Sequence, residues 1–418
     1  MYAHLFSEEV MLRELVEHII IPNMNYSEDD LELIEFNPLE FIRREMEGSD
    51  LETKRRTASD LLRNLLKFHN ETTTSLGMEY IKELTSQFHS SPENWSQMDI
   101  SINLFLSVSV KSKIERVGVV EVNEMLQSEI HDYFENEIGS ILDSFSDHHP
   151  VLVCEALKFV TLFRSQFSAD NIVSMIPTIV SMLDESESFL IRSFSAWTLE
   201  KFLSIRESNE KNTLLLTPDH LQEFGEKLFV VLFAIIGEEG DEDEGDNEYV
   251  MKAIMMYLLL MKDNLEDIID SILDSLNNTL ARICHNPKNP HFSHYLFESV
   301  CIIVRAGCES ESNSLAWREK YESIIFEPFQ EVLALDIVEF LPYVFQILSL
   351  LLSYYQDDEE MPQQFQALLP PLLTPECWER RGNIPALVSL LSSYISHNSS
   401  QYLMDSNSFL PICGIFQV

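Results

Sequence analysis

The side chains with the clearest capacity for chemistry are potential metal ligands in the second half of the chain. Cysteine and histidine supply the sulfur and nitrogen donors that zinc prefers, and Cys284, His285, His291 and His294 fall within one short stretch. Their spacing matches no standard zinc finger. His291 and His294 flank the start of a predicted helix, and Cys284 lies at the end of the preceding one, which favours ordinary packing. We therefore expect no metal site and no cofactor.

Motifs for nucleotide binding and hydrolysis are missing or disabled. Gly240 and Gly245 have the spacing of a phosphate-binding loop, but Asp246 stands where a lysine would neutralise phosphate. The sequence has no G-x-G pair, no H-E-x-x-H helix and no G-x-S-x-G elbow. The acidic segment 237–246 also lacks the ligand spacing of an EF-hand, which favours a solvated loop. The sequence thus predicts a protein that is not an enzyme.

The charge balance narrows the class of partner. The chain carries 28 Lys and Arg against 69 Asp and Glu, for a formal net charge of −41. Such a surface repels nucleic acid and anionic membranes, whose recognition depends on Lys and Arg. A basic protein partner is the natural complement, and solubility alone is the alternative explanation.

Composition favours a folded, all-helical protein. Hydrophobic residues are 45% and charged residues 23% of the 418 residues, as in folded chains, while 11 Gly are few for the turns of an all-β fold. Six Cys without a CxxC pair are typical of reduced thiols in the nucleus or cytosol. The N-terminal residues lack a signal-peptide pattern, and the longest apolar run, 228–236, is shorter than the roughly 18 residues of a membrane span.

Local signals predict where helices begin and which faces they bury. A capping box at Ser49 and Glu52 predicts a helix whose apolar stripe is Ala58, Leu61, Leu62, Leu65 and Leu66. Asn289 followed by Pro290 predicts a second helix, which buries Phe292, Leu296, Val300, Ile303 and Val304. A third helix has its apolar face at Phe340, Val344, Ile347, Leu348 and Leu351.

The spacing of these starts indicates a repeat protein. Helices are expected to begin near residues 51, 94, 151, 187, 246, 290, 337 and 384, at intervals that scatter around the roughly 40–47 residues of HEAT and armadillo repeats. We predict a HEAT-repeat solenoid of about eight helix pairs over residues 1–418. Two segments interrupt it: an insertion within a repeat at 22–50 and the acidic loop at 237–246.

One basic cluster stands out in this acidic chain, and it has two explanations. It could contact a partner, or it could pair internally with neighbouring acids. The cluster is Arg43, Arg44, Lys54, Arg55 and Arg56, and the neighbouring acids are Glu45, Glu47, Asp50 and Glu52.

Five segments, taken in order, resemble one family. Their first residues are 19, 247, 288, 340 and 377. In the same order, their sequences are IIIPNMNYSEDDLELIEFNPLEFIRREMEGSDLETKRRTASDLLRNL, NEYVMKAIM, KNPHFSHYLFESV, FLPYVFQILSLLL and CWERRGNIPALVSLL. They are similar to the middle and later repeats of the exportin-2 family, the importin-alpha re-exporters also called cellular apoptosis susceptibility proteins, in the importin-beta superfamily. The resemblance extends from about Val16 to Gln417.

The resemblance implies a nuclear export receptor that binds importin-alpha together with Ran in its GTP form and returns importin-alpha from nucleus to cytoplasm. It also admits nuclear pore proteins as partners, and it implies shuttling between the two compartments. In this family an insertion matched by Tyr26 to Asp60 is implicated in contacts with both Ran and importin-alpha. The partner-binding residues carried over by the match are Arg43, Arg44, Glu47, Gly48, Asp50 and Arg55.

One departure from the family keeps a second function open. The family's first repeats, a major Ran-binding arch, have no counterpart here, so we expect a fragment, a truncated gene product or a reduced paralogue in which RanGTP binding is weakened or lost. The alternative is a Ran-independent HEAT-repeat scaffold that binds a basic protein.

Overall fold

The computed structural model describes residues 9–47, 53–111, 118–206, 213–237, 246–265, 268–284, 287–309, 314–356, 359–397 and 406–415. Within these ranges the chain is almost entirely helical, and its β-structure consists of isolated bridges, among them Val110 with Val122 and Arg206 with Leu214. The predicted all-α class is confirmed.

Most of the α-helices follow one another with short connections, and the connections at 110–128 and 204–224 are longer. In chain order they are α1 (Glu9–Leu15), α2 (Ile21–Met24), α3 (Glu28–Phe36), α4 (Pro38–Glu47), α5 (Lys54–Ser90), α6 (Trp95–Ser109), α7 (Glu129–Tyr133), α8 (Gly139–Asp143), α9 (Pro150–Leu162), α10 (Ala169–Glu185), α11 (Phe189–Leu203), α12 (Gly225–Gly237), α13 (Glu248–Met261), α14 (Ile269–Cys284), α15 (Pro290–Cys308), α16 (Ser314–Ala334), α17 (Leu341–Ser353), α18 (Gln363–Leu372), α19 (Pro375–Trp378), α20 (Ile384–His397) and α21 (Ser406–Ile415). Single π-helical turns, Val16–Ile20 and Phe134–Ile138, connect α1 to α2 and α7 to α8.

The repeat starts predicted from the sequence lie close to observed helix starts. The observed first residues are Lys54, Trp95, Pro150, Phe189, Glu248, Pro290, Leu341 and Ile384. The α15 start shows the local cause, because Asn289 Oδ1 accepts the backbone N–H groups of His291 and Phe292, each at 3.1 Å. Its predicted face is buried throughout, as is the predicted face of α17.

Helix α5 departs in part from its predicted pattern. Its described portion begins at Lys54, where Thr53 Oγ1 accepts the N–H of Arg56 at 3.1 Å; the capping box predicted at Ser49 lies outside the described residues. The predicted face is buried at Ala58, Leu62 and Leu65 and half-buried at Leu66, but Leu61 is exposed. The prediction was wrong at Leu61 because Ala58, Leu62 and Leu65 define the packed stripe, and Leu61 lies at one edge of it, about 40° beyond Leu65.

The chain divides into two compact units, Met1–Leu232 and Phe233–Val418. In the first unit α5 packs on α6, α6 on α9 and α9 on α11; in the second α13 packs on α15 and α17 on both α15 and α20. Gly77 permits the close α5–α6 approach, since a Cβ there would lie 2.8 Å from Val108 Cγ1. Each unit is thus a stack of helices that bury apolar faces against their neighbours, as HEAT repeats do.

Candidate interaction site

The predicted insertion contains two short helices fixed by their own caps. Ser27 begins α3 with a capping box, in which its hydroxyl accepts the N–H of Asp30 and the Asp30 carboxylate accepts the N–H of Ser27. Asn37 Oδ1 accepts the N–H of Glu40 in the first turn of α4. Phe41 and Ile42 are buried and attach α4 to the first unit, where α4 packs against α11.

Arg55 lies at the centre of a buried charge cluster beneath these helices. Its guanidinium donates to Asp99 Oδ2 at 2.6 Å and Oδ1 at 2.9 Å, and to the Met24 carbonyl at 2.7 Å. Glu155 Oε1 is 3.4 Å from Arg55 Nη2. The side chains of Arg55, Asp99 and Glu155 are 8%, 0% and 3% exposed, so their ionic bonds are shielded from solvent.

Tyr26 and Lys158 extend this cluster toward the insertion. The Tyr26 ring centroid lies 4.3 Å from the Arg55 guanidinium carbon, and the Tyr26 hydroxyl donates to Glu155 Oε1 at 3.1 Å. Lys158 Nζ donates to Glu45 Oε2 at 2.7 Å and lies 3.4 Å from Glu155 Oε1. Through Lys158 the interior cluster is therefore connected to α4.

A second ion pair connects α4 to α3. Arg44 Nη1 is 2.8 Å from Asp30 Oδ1, and Arg44 Nε is 3.8 Å from Glu45 Oε1. The Arg44 guanidinium also lies over the Phe41 ring, 5.5 Å from its centroid. We call the seven charged side chains together with Tyr26 the Arg55 network: Tyr26, Asp30, Arg44, Glu45, Arg55, Asp99, Glu155 and Lys158.

The pKa values in the Arg55 network reflect burial opposed by neighbouring charge. Burial raises the pKa of Asp99 to about 6, against the lowering effect of Arg55. Burial would also raise the pKa of Glu45, but the charges of Lys158 and Arg55 outweigh it and hold the pKa below its ordinary value. For Lys158 burial acts in the opposite direction, and Glu155 and Glu45 outweigh it to raise the pKa. Ionised Glu45 and Lys158 therefore stabilise one another.

The residues carried over as partner-binding occupy different environments. Arg55 is buried in the network, Arg44 is largely covered by its ion pair with Asp30, and Arg43 is half-buried on α4. Glu47 is the last residue of α4, while Gly48 and Asp50 lie outside the described residues. The alternative of internal pairing holds for Arg44 with Glu45, but Arg55 pairs with acids from distant helices.

The sequence did carry a signal for the network residues that were not anticipated. Asp99 is a lone charge in the otherwise uncharged α6, and Glu155 and Lys158 are the only charges in the apolar α9. A helix that is apolar on all sides is buried, and charges within it need partners.

The metal-ligand candidates do not converge in the described residues. Cys284 is buried at the end of α14, His291 is exposed, and the His294 ring contacts Tyr343; His285 lies outside the described ranges. Across those ranges, no group of three or more His, Cys, Asp or Glu side chains could hold a metal ion. Nor is any helix there long and apolar enough to cross a membrane.

Most of the acidic loop, residues 238–245, lies outside the described residues. Its last residue, Asp246, accepts from Arg282 Nη1 at 2.7 Å, and the Asp246 carbonyl accepts from Asn289 at 3.1 Å. These bonds join the end of the loop to α14 and to the cap of α15.

The second unit holds an arginine cluster of similar composition around Arg318. The Arg318 guanidinium carbon lies 3.6 Å from the Tyr355 ring centroid, and Nη1 donates to Glu359 Oε2 at 2.8 Å and to the Tyr354 carbonyl at 2.9 Å. Tyr355 in turn donates to the Glu322 carboxylate, 2.6 Å from Oε1. The cluster fastens the segment that follows α17 to α16.

Comparisons with known proteins agree over the whole chain. Two family models match, one described as Cse1 over residues 1–199 and one described as CAS/CSE protein, C-terminus, over residues 200–418. Relatives named Exportin-2 from Pagrus major, Mus musculus and Homo sapiens are 36%, 35% and 34% identical over 100% of this chain. The chain spans 42% of the length of each.

Solved structures give the same result. One described as the exportin Cse1 in its cargo-free, cytoplasmic state is similar over 100% of this chain and 42% of its own, with 30% identity and a TM-score of 0.83. Lph2, described as a bidirectional nuclear transport receptor in S. cerevisiae, shares the fold at a TM-score of 0.65 and 16% identity, over 99% of this chain and 41% of its own. With family models that together cover every residue, this chain belongs to the CAS/CSE (exportin-2) family.

Proposed function

We propose that this chain is part of a nuclear export receptor that binds importin-alpha together with Ran in its GTP form and returns importin-alpha from nucleus to cytoplasm. The observation that carries the proposal is the similarity of all 418 residues to proteins named Exportin-2. Because the chain spans 42% of those relatives, the partners of the longer proteins are extended to it as part of the proposal. It acts by binding, without catalysis, and shuttles through the nuclear pore, where pore proteins are further partners.

Electrostatics supports a basic partner. Importin-alpha, the partner that the resemblance implies, carries a basic segment. This chain has a net charge of −41, so the two are electrostatically complementary. Helix α3 adds a locally acidic surface, since it has no buried residue and exposes Glu28, Asp29, Glu32 and Glu35. The proposed partner-binding residues of the insertion are Arg43, Arg44, Glu47, Gly48 and Asp50. Arg55, which the resemblance carried over with them, is buried beneath α3 and α4.

Calorimetry with both partners tests this proposal. Importin-alpha is titrated into the chain with and without GTP-locked Ran, at low and at physiological salt. The proposal predicts importin-alpha binding that increases with GTP-locked Ran even though Ran binding itself is expected to be weakened, because cooperative ligands stabilise one another's complexes through a reciprocal coupling free energy. Absence of importin-alpha binding when GTP-locked Ran is supplied would refute the proposal.

A Ran-independent scaffold for a basic protein is the second candidate, and the net charge of −41 favours it. It predicts equal importin-alpha affinity with and without Ran. Loss of that affinity at physiological salt would reduce the interaction to unspecific charge attraction, since exposed charges are screened there.

A further inference from the structure

The Arg55 network joins elements that are far apart in the sequence. Arg55 is on α5, Asp99 on α6 and Glu155 on α9, and Arg55 also binds the Met24 carbonyl at the end of α2. Lys158, one turn after Glu155, continues the connection to Glu45 on α4. One set of ionic bonds thus links the insertion to two successive layers of the helix stack.

The burial of Arg55 and its hydrogen bonds restrict the access of a partner protein to its guanidinium. Its side chain is 8% exposed, and its donors point to Asp99 and the Met24 carbonyl. Asn103 occupies the remaining side, with its amide oxygen 2.6 Å from Arg55 Nε in the orientation that also lets the amide nitrogen donate to Ser59. An incoming protein could reach Arg55 only by displacing these bonds.

The two ion pairs of the network that involve α4, Lys158–Glu45 and Arg44–Asp30, are more exposed to solvent than Arg55 and Asp99. The side chains of Lys158 and Glu45 are 18% and 15% exposed, and Arg44 and Asp30 are covered to a similar extent. These pairs lie where α3 and α4 meet the stack, with the buried Phe41 and Ile42 beside them. Apolar packing holds α4 against the unit, and the directional ionic bonds fix its register and rotation.

We infer that Arg55 and Lys158 are positioning residues: they hold α3 and α4 in a fixed orientation on α6 and α9 and so present the insertion to its partner without contacting the partner themselves. This inference deepens the proposed function and rests on it for the identity of the partner. The inference assigns two roles within the basic cluster: Arg43 and Arg44 lie on α4, which faces the partner, and Arg55 lies in the buried network that holds α4 in place.

Lys158 offers the cleaner test, because the interior pairing of Arg55 with Asp99 is left in place when Lys158 is changed. Lys158→Met removes the charge and retains the stem, whereas Lys158→Arg retains a donor for Glu45 and Glu155. Lys82→Met is the matched control, since Lys82 is an exposed lysine in the second half of α5, beyond the kink at His69, and is not a member of the Arg55 network.

Two readouts on each variant separate positioning from contact. Hydrogen–deuterium exchange is followed in peptides from residues 28–47 and, for reference, 290–308; calorimetry gives the affinity for importin-alpha with GTP-locked Ran. For Lys158→Met we expect exchange in 28–47 to accelerate about tenfold and affinity to fall several-fold, with 290–308 unchanged. Lys158→Arg should restore both, and Lys82→Met should change neither.

Other outcomes overturn the inference. Weaker binding without faster exchange would make Lys158 a direct contact, and faster exchange with unchanged binding would make the network purely structural. Should the wild-type chain fail to bind importin-alpha, the proposed function fails, but the exchange measurement still decides whether Lys158 fixes α3 and α4. Unchanged exchange in residues 28–47 refutes the positioning role in either case.

Discussion

The cluster around Arg55 in the first unit and the cluster around Arg318 in the second contain the same kinds of contact. Each guanidinium stacks on a tyrosine ring, donates to a backbone carbonyl and binds a carboxylate. The carboxylates differ, because the Asp99 side chain is 0% exposed and that of Glu359 is 31% exposed. Solvent screens the Arg318–Glu359 pair. In the Arg55–Asp99 pair each charge has lost its hydration, and the opposite charge replaces it.

The comparison shows that burial of the acid, rather than the type of contact, sets the role of each arginine. Arg318 fastens a surface segment to the helix beside it. Arg55 lies between helices that belong to different layers and below α3 and α4. Changes at Arg55 should therefore spread through the first unit, while changes at Arg318 should stay local.

The largest effect is expected for Arg55→Met. It leaves Asp99 buried without its cation and Glu155 with Lys158 alone, which should lower the free energy of unfolding by about 3–5 kcal/mol. Urea unfolding followed by circular dichroism measures it, with Lys82→Met as the control in the second half of α5, beyond the kink at His69. A loss no larger than that of the control would show that solvent reaches the interior pair.

A smaller effect is expected for Arg318→Met. The variant removes a charged hydrogen bond and the stacking on Tyr355, but Glu359 can turn to solvent, so the loss should be about 2 kcal/mol. Hydrogen exchange should increase at residues 354–356 and remain unchanged in 28–47. A loss as large as that of Arg55→Met would contradict the contrast between the clusters.

The smallest effect, and one that depends on pH, is expected for Glu45→Gln. The pKa of Glu45 is lowered in the folded chain, so its ionised form stabilises the fold above its ordinary pKa of 4.5. This contribution, about 1 kcal/mol, is lost as the pH falls through the folded-state value. Wild type and Glu45→Gln should therefore differ in unfolding free energy near neutral pH and converge in acid. A constant difference across this range would refute the assignment.

Local sequence signals predicted much of the fold. The start of α15 depends on Asn289, its cap, and on Pro290, its first residue, and the α17 face depends on 3.6-residue periodicity within one segment. Leu61 was assigned wrongly because periodicity defines a stripe but not which edge of it the neighbouring helix covers.

The candidate site was less predictable because its contacts are long-range. The expected partners of Arg55 were acids within a few residues, whereas Asp99 and Glu155 are 44 and 100 positions away. Only the folded arrangement of α5, α6 and α9 brings them together. The lone charges in the apolar α6 and α9 indicated that paired, buried charges existed, but not which pairs form.

The contrast between the clusters is tested most directly by two double-mutant cycles, one with Arg55→Met and Asp99→Asn and the other with Arg318→Met and Glu359→Gln. Each cycle isolates the coupling energy of one pair from the other effects of the substitutions. We expect about 3 kcal/mol or more for the Arg55 pair and about 1 kcal/mol or less for the Arg318 pair. Equal coupling energies, or a larger one at Arg318, would contradict the assignment of Arg55 as the interior support of the insertion.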